Sequence, residues 1–317
     1  MKQYRVGIVG ACGYVGRELV RWVFHHPSLT LCRLFSHSKE GLAYSTAAPE
    51  FNGFVNLQLD ALPPKFSELD ILFLATPHGT SVGLIERTSA VPVVIDLSRD
   101  HRHHSGWAYG QPEWLGERLI GAKRIAAPGC FATALSLGIA PLVSSNTLIG
   151  PVRVSAATGS TGSGATAKST THHPERFSNI RAYKVFQHQH VPEIISFLGL
   201  IGKAPKIHFI PMSAPIDRGI FATIFVDVCS GFDVRAHFED AYSESALVRI
   251  REASPELRML RGTAFADISV HQDGETAAIL VAIDNLGKGA AAQAIQALNI
   301  SLGLPEAEGL LVPTYSP

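Results

Sequence analysis

The seven residues Gly10-Ala11-Cys12-Gly13-Tyr14-Val15-Gly16 constrain this chain more than any other stretch. They follow a short apolar, strand-like run over 5–9 and precede a helical pattern over 17–25. In that pattern Leu19, Val20 and Val23 share a face, and Pro27 marks the stop. Glycines at a strand–turn–helix junction permit a tight turn and let the backbone approach a pyrophosphate. The unpaired N–H groups of the helix N-terminus then hold that anion. The spacing is GxxGxxG rather than GxGxxG, so a turn needed only for packing competes with the nucleotide reading.

Strand-like runs over 29–35, 70–76 and 92–96, with a helix expected over 80–88, continue the alternation. Such a pattern predicts an α/β Rossmann dinucleotide-binding domain, its parallel sheet covered by helices on both faces. At the end of the second strand stands Ser36-His37-Ser38-Lys39, with no carboxylate before Glu40. An acidic residue there would hold a ribose 2′-hydroxyl, whereas hydroxyls and a cation suit a 2′-phosphate, so NADP is the expected cofactor. An ordinary polar loop is the competing reading.

From about Gly150 longer β runs take over, at 152–157, 206–212, 219–228, 266–271 and 277–283. The Gly/Ser/Thr-rich stretch 158–171 reads as a mobile loop. An alanine-rich helical pattern follows over 287–302. The expected domains are therefore a dinucleotide-binding domain over 1–147, completed by a C-terminal helix over 287–317, and an α+β domain over 148–286. The second would carry substrate, oligomer contacts and a mainly antiparallel sheet.

Several classes are excluded by composition. A formal net charge of zero and the lack of a basic run argue against nucleic acid. No apolar stretch reaches the roughly 18 residues of a membrane span, and the first residues do not resemble a signal or transit peptide. The four cysteines are widely spaced and suggest neither a disulfide framework nor a zinc site. A cytoplasmic protein without a metal is expected.

Cys130 follows the turn Pro128-Gly129 and opens an apolar helical pattern over 131–140 that Pro141 is expected to close. At a helix N-terminus the dipole and unpaired N–H groups favour a thiolate and can hold an oxyanion. A structural cysteine is the plain alternative. The segment Gln187-His188-Gln189-His190-Val191-Pro192-Glu193 offers a general acid/base, with either ring a candidate. His101, His103, His104, His172 and His173 read as solvated loop residues, although the stretch 173–176 could border the site.

Six blocks in order carry a resemblance over nearly the full length. They are 10–16, Asp96-Leu97-Ser98-Arg99-Asp100-His101-Arg102, Tyr109-Gly110-Gln111-Pro112-Glu113, Ala127-Pro128-Gly129-Cys130-Phe131-Ala132-Thr133, 188–193, and Ile283-Asp284-Asn285-Leu286-Gly287-Lys288-Gly289-Ala290. The chain closely resembles the N-acetyl-γ-glutamyl-phosphate reductase family of arginine biosynthesis, related to aspartate-semialdehyde dehydrogenase. The resemblance implies NADPH-dependent reduction of an acyl phosphate to a semialdehyde through a cysteine thioester, with release of inorganic phosphate. It makes Cys130 the nucleophile and His190 the acid/base, with His188 second. It implies cofactor contacts from Gly10, Ala11, Cys12, Gly13, Tyr14, Val15, Gly16, Ser36, Ser38, Lys39, Thr76, Pro77, Ser98 and Asn285. For the substrate it implies Arg102, Glu113, Ser160, Gly162, Ser163, Gly164 and Arg218, and for assembly a homodimer or homotetramer. Two departures stand out. Gln189 occupies a position usually held by arginine, and the segment 211–217 is longer than in many members. That length and the stretch 172–176 are similar to a sister enzyme of lysine biosynthesis acting on a carrier-linked aminoadipyl phosphate, which is the alternative substrate.

Overall fold

The computed structural model describes residues 3–314. The chain splits into two compact units. One comprises the residues up to Pro128 together with Ala290–Leu311, and the other Gly129–Gly289 with the residues from Val312.

The first unit is built on seven parallel strands, β1 (Tyr4–Val9), β2 (Leu29–Phe35), β3 (Leu59–Asp60), β4 (Ile71–Leu74), β5 (Val93–Asp96), β6 (Ala108–Tyr109) and β7 (Arg124–Ala126). Their order is β3-β2-β1-β4-β5-β7-β6. Every residue of β4 and β5 is buried, which is why β4 reads as an unbroken apolar run and β5 as an apolar run that ends on the buried carboxylate of Asp96. Helices α1 (Tyr14–His25), α2 (Tyr44–Ala47) and α3 (Pro112–Leu119) belong to this unit, as does the last helix, Ala292–Leu302. The strand order reverses between β1 and β4, and ligands of open α/β sheets bind beyond the carboxyl ends of strands at such a point. The helix expected over 80–88 is instead a 3₁₀ helix, Ser81–Thr88. Gly83 lies within it, and the Thr88 hydroxyl donates to Ile85 O at 2.7 Å, both of which disfavour regular α winding.

The second unit holds a mixed sheet in the order β12-β13-β14-β11-β8-β10-β9. Its strands are β8 (Leu148–Thr158), β9 (Arg181–Ala182), β10 (Ile207–Ser213), β11 (Ile220–Val228), β12 (Val248–Arg251), β13 (Ala266–Asp273) and β14 (Thr276–Ile283). Four of the six pairings are antiparallel, and β12–β13 and β8–β10 are parallel. Burial alternates along β10 and β11, so one face is covered and the other half-open. The cover includes α4 (Cys130–Ser144), which packs on β11 and β14 and buries 13 of its 15 residues. The remaining helices are α5 (His173–Arg176), α6 (His190–Leu198), which packs on α4, and α7 (Val234–Ala241).

The position of α4 moves the expected boundary. The run 131–140 looks like one more helix of the alternating pattern, so the sequence places the break near 147. Because α4 lies on the second sheet, the units part at Pro128 and Gly129. The helix also does not stop at Pro141. That proline removes the N–H that would reach Leu137 O, and Tyr242 Oη donates to the same carbonyl at 2.6 Å. The expected helix over 287–302 starts as a π turn, Gly287–Ala291, and becomes α-helical only from Ala292. It ends at Gly303, whose φ of +70° forms a left-handed cap. Residues 303–314 carry no helix, and 315–317 lie outside the described residues.

Candidate active site

The glycine turn lies at the carboxyl end of β1. Gly10 has φ +80°, and a Cβ there would lie 2.4 Å from Ala75 O. A Cβ at Gly16 would lie 2.1 Å from Gly10 O. The turn itself therefore demands those two glycines. Gly13 differs, since a Cβ there would meet only Gly10 O at 3.5 Å, an ordinary contact. The protein does not require glycine at 13, whereas a ligand approaching the backbone closely would. The carbonyls of the turn are occupied from within. Gly10 O accepts the Gly13 N–H at 3.1 Å, Ala11 O accepts Tyr44 Oη at 3.1 Å, and Cys12 O accepts Arg17 Nε at 3.1 Å. Helix α1 begins at Tyr14 and Val15 with no side-chain cap and no acidic residue in its first turn. An anion at this point meets donors rather than acceptors.

Thr76 follows the carboxyl end of β4, one residue beyond the carbonyl nearest Gly10. Its hydroxyl is buried without a hydrogen-bond partner, and Pro77 beside it is exposed. The open cradle at Gly13 and this orphaned hydroxyl fit a bound dinucleotide. Ser36 is buried just after β2, followed by exposed Ser38 and half-buried Lys39. Ser98 is placed differently from the other expected cofactor residues. Its hydroxyl donates to Asp96 Oδ2 at 2.9 Å and lies 3.1 Å from Ser81 Oγ, inside a buried polar network. The network corrects the reading of His101 as solvated. His101 is buried, with Nδ1 2.6 Å from Asp96 Oδ2 and its ring stacked on Trp107. His103, His104, His172 and His173 are exposed, as expected.

In the second unit Cys130 is the first residue of α4, and His190 is the first residue of α6. Two helix N-termini thus converge. The His190 ring lies over Gly129, because a Cβ at Gly129 would be 2.3 Å from His190 Nε2. Glu193, buried in the first turn of α6, accepts the Gly129 N–H at 2.9 Å through Oε1. The residue before the cysteine is therefore tied to the helix that carries the imidazole. Cys130 is half-buried, and Gly289 lies behind it, where a Cβ would come within 3.0 Å of Cys130 Cβ.

The two histidines are not equivalent. His188 Nδ1 accepts the His190 backbone N–H at 3.3 Å, and its ring meets Phe131, Phe209 and Tyr183 edge-on. Burial, with a smaller contribution from the Lys184 cation, lowers its pKa to about 4. His188 is thus a neutral ring in an aromatic setting. Burial first, and then the nearby Cys130, pushes the Tyr183 phenol well above its ordinary value.

The expected substrate residues fall into two groups. Ser160, Gly162 and Ser163 form a 3₁₀ turn, with Gly164 following at φ +82°. The Ser160 N–H donates to Ile216 O at 3.0 Å, which pins that turn to the strap before Arg218. Asn285 Oδ1 accepts the Gly219 N–H at 2.7 Å, and Nδ2 donates to Thr161 Oγ1 at 3.1 Å. Arg218 forms a buried ion pair with Asp284, Nε to Oδ2 2.6 Å. These residues share the unit of Cys130. Arg102 and Glu113 belong to the other unit. There Arg102 Nε donates to Ala127 O at 2.9 Å, and Glu113 accepts from Gln111 and Gln296 at 3.2 and 2.9 Å.

Sequence reasoning missed Glu193, Tyr183 and Asp284 as site residues. Glu193 and Asp284 stand inside blocks already singled out, each close to an assigned residue, so a carboxylate search within those blocks would have found them. Tyr183 carries no comparable signal. Among the described residues no group of three or more His, Cys, Asp or Glu side chains is placed to hold a metal. No helix among them is long and apolar enough to cross a membrane.

Comparison with known proteins agrees with this division. Residues 5–122 match the family model "Semialdehyde dehydrogenase, NAD binding domain", and 130–285 match "Semialdehyde dehydrogenase, dimerisation domain". An N-acetyl-gamma-glutamyl-phosphate reductase of Salinispora tropica is 35% identical, covering 99% of this chain and 99% of that protein. One from Bacillus anthracis is 36% identical over 98% of this chain and 99% of its own length. Among solved structures, aspartate semialdehyde dehydrogenase with NADP from Candida albicans superposes with a TM-score of 0.76. It covers 94% of this chain and 98% of that one at 14% identity, which speaks to the fold alone.

Proposed function

The chain belongs to the N-acetyl-gamma-glutamyl-phosphate reductase family, and we infer that it reduces N-acetyl-gamma-glutamyl phosphate to the semialdehyde with release of phosphate. The observation that carries the mechanism is the meeting of Cys130 and His190 at two helix N-termini, joined by the Glu193 to Gly129 hydrogen bond.

The Cys130 thiolate attacks the acyl carbon, and the N–H groups at the start of α4 face the oxygen on which negative charge develops. Phosphate leaves, and the acyl group remains as a thioester on Sγ. A reduced nicotinamide dinucleotide, when bound, supplies the hydride. His190 takes the proton from the thiohemiacetal oxygen as the C–S bond breaks and the aldehyde departs. His188, neutral and already accepting from the His190 N–H, orients that ring. Arg218, held by Asp284, binds an anionic group of the substrate, and the 160–164 turn offers the hydroxyls of Ser160 and Ser163.

Gly10, Gly13, Gly16 and Thr76 would hold the dinucleotide. Ser36, Ser38 and Lys39, with no carboxylate at the end of β2, favour NADP over NAD. Asn285, through its hydrogen bond to Thr161, holds the 160–164 turn in place. A second copy of the chain fits the half-open face of the second sheet, where Ile210, Met212, Phe221 and Leu280 are half-buried and Phe225 is exposed. Sedimentation equilibrium distinguishes a homodimer from a homotetramer. A reducing, cytoplasmic setting keeps the Cys130 thiol available.

The direct test follows NADPH formation from N-acetylglutamate semialdehyde with inorganic phosphate, using wild type and Cys130→Ser. Phosphate-dependent activity that falls by at least about 10⁴-fold in the variant, with NADPH binding retained, is expected. A folded wild type that binds NADPH yet turns over only a carrier-linked aminoadipate semialdehyde would replace the arginine-pathway substrate.

A further inference from the structure

We propose that Asp284 is a positioning residue that fixes the Arg218 guanidinium and the turn behind Cys130 as a single unit. The proposal deepens the reductase reading and rests on Arg218 as the group that binds a substrate anion.

Asp284 is fully buried, and a buried carboxylate is costly unless it is paired and hydrogen-bonded. Both of its oxygens are engaged. Oδ1 accepts from Arg218 Nε at 2.7 Å and from the Leu286 and Gly287 N–H groups at 2.9 and 3.1 Å. Oδ2 lies 2.6 Å from Arg218 Nε in the ion pair and accepts from the Gly262 N–H at 2.5 Å. The backbone carbonyl of Asp284 accepts the Gly289 N–H at 2.8 Å. Gly289 is the residue packed against Cys130 Cβ.

One residue thus grips the anion-binding side chain with its carboxylate and the wall behind the nucleophile with its carbonyl. The next residue completes the hold, since Asn285 Oδ1 accepts the N–H of Gly219, immediately after Arg218. A substrate anion seated on Arg218 is then held at a set distance from the Cys130 sulfur. Orientation of this kind governs rate as well as binding, because the acyl carbon must meet the sulfur in an attack geometry. A carboxylate that only capped the turn would stabilise the fold without linking Arg218 to the cysteine.

The experiment uses the full chain with Asp284→Asn, Arg218→Lys and the double variant. Asp284→Asn is expected to raise KM for the acyl phosphate about tenfold and to lower kcat, with KM for NADPH unchanged. In the Arg218→Lys background the same substitution is expected to add little, because the two residues act through one contact. Alkylation of Cys130 by iodoacetamide, read on the Cys130 peptide, is expected to change severalfold in Asp284→Asn and to stay at the wild-type rate in Arg218→Lys. Independent, multiplicative effects on KM overturn the proposal, as does a variant whose only change is a lower melting temperature. If wild type shows no turnover of the acyl phosphate, the reductase reading fails. The alkylation comparison still decides the geometry, and an unchanged rate overturns it. Should Asp284→Asn not fold, Asp284→Glu keeps the charge, displaces it by one methylene, and is expected to give the same shifts.

Discussion

Helices α1 and α4 start in nearly the same way. Each follows a glycine in extended conformation, Gly13 at φ −73°, ψ 165° and Gly129 at φ −72°, ψ 151°. Neither has a side-chain cap or an acidic residue in its first turn. Both therefore present backbone donors to whatever lies in front of them. The difference lies in what stands there. At α1 the proposed dinucleotide contacts come from the backbone rather than from the first side chains, so glycine spacing is what matters. At α4 the first residue is Cys130, the proposed nucleophile, and its surroundings come from distant segments: His190 and Glu193 on α6, Tyr183 after β9, and Gly289 in the π turn. A backbone site can be written in one short stretch of sequence, whereas a side-chain site has to be assembled by the fold.

The largest effect expected to test this contrast is at His190. His190→Gln should lower kcat/KM by about 10² to 10⁴-fold and leave NADPH affinity intact. His188→Asn should cost less and act through the position of the His190 ring. The pH profile separates the two. Burial and Lys184 hold His188 at about 4, so it is neutral throughout the assay range. Any limb of the pH–rate profile near neutrality should therefore persist in His188→Asn. A limb that disappears with His188 instead would reverse the assignment. Stability supplies a second reading. The folded pKa of His188 lies below its unfolded value of 6.5, so its contribution is present above that pH and is lost as pH falls toward 4. His188→Asn should lose less stability than wild type across that window.

The next contrast is within the α1 turn. Gly13→Ala should weaken dinucleotide binding about tenfold with little change in melting temperature, since a Cβ there meets only ordinary contact in the protein. Gly16→Ala should instead destabilise the first unit by about 1–3 kcal/mol, because its Cβ would meet Gly10 O at 2.1 Å. Equal effects at the two positions would mean that Gly13 also serves packing.

How much was legible follows the same division. The parallel sheet, the glycine turn and the Cys130 helix start are local patterns, and apolar runs with flanking turn residues expose them. Pairing Cys130 with His190 needed the resemblance, because nothing in periodicity places residue 190 beside residue 130. His101 was misjudged because a polar run such as His101-Arg102-His103-His104 looks solvated throughout. Only the fold shows that Asp96, itself buried, takes the first of these inward. The domain break was misplaced because helical periodicity says which face of α4 is apolar but not which sheet receives it.

A smaller effect is expected at the end of β2. Lys39→Glu should shift the ratio of NADPH to NADH affinities toward NADH by about tenfold, the scale of one charge-assisted hydrogen bond. Cys130 reactivity should not respond. A variant that changes alkylation of Cys130 without bound coenzyme would show that the two sites are not built independently.

The smallest effect returns to the two helices and their prolines. Helix α1 ends at His25, two residues before Pro27, whereas α4 runs through Pro141 to Ser144. In α4 the missing proline N–H is replaced at Leu137 O by Tyr242 Oη. Tyr242→Phe should therefore cost about 1–2 kcal/mol, the penalty of removing a partner from a buried carbonyl. The damage should be confined to the second unit and centred on the middle of α4, so hydrogen exchange should rise for α4 amides around Pro141 while those of α1 keep their wild-type protection. Catalysis should change by less than stability, because the Gly129 and Glu193 contact holds the Cys130 end of the helix from the other side. A variant of wild-type stability would mean that α4 passes its proline by packing alone, with 13 of its 15 residues buried.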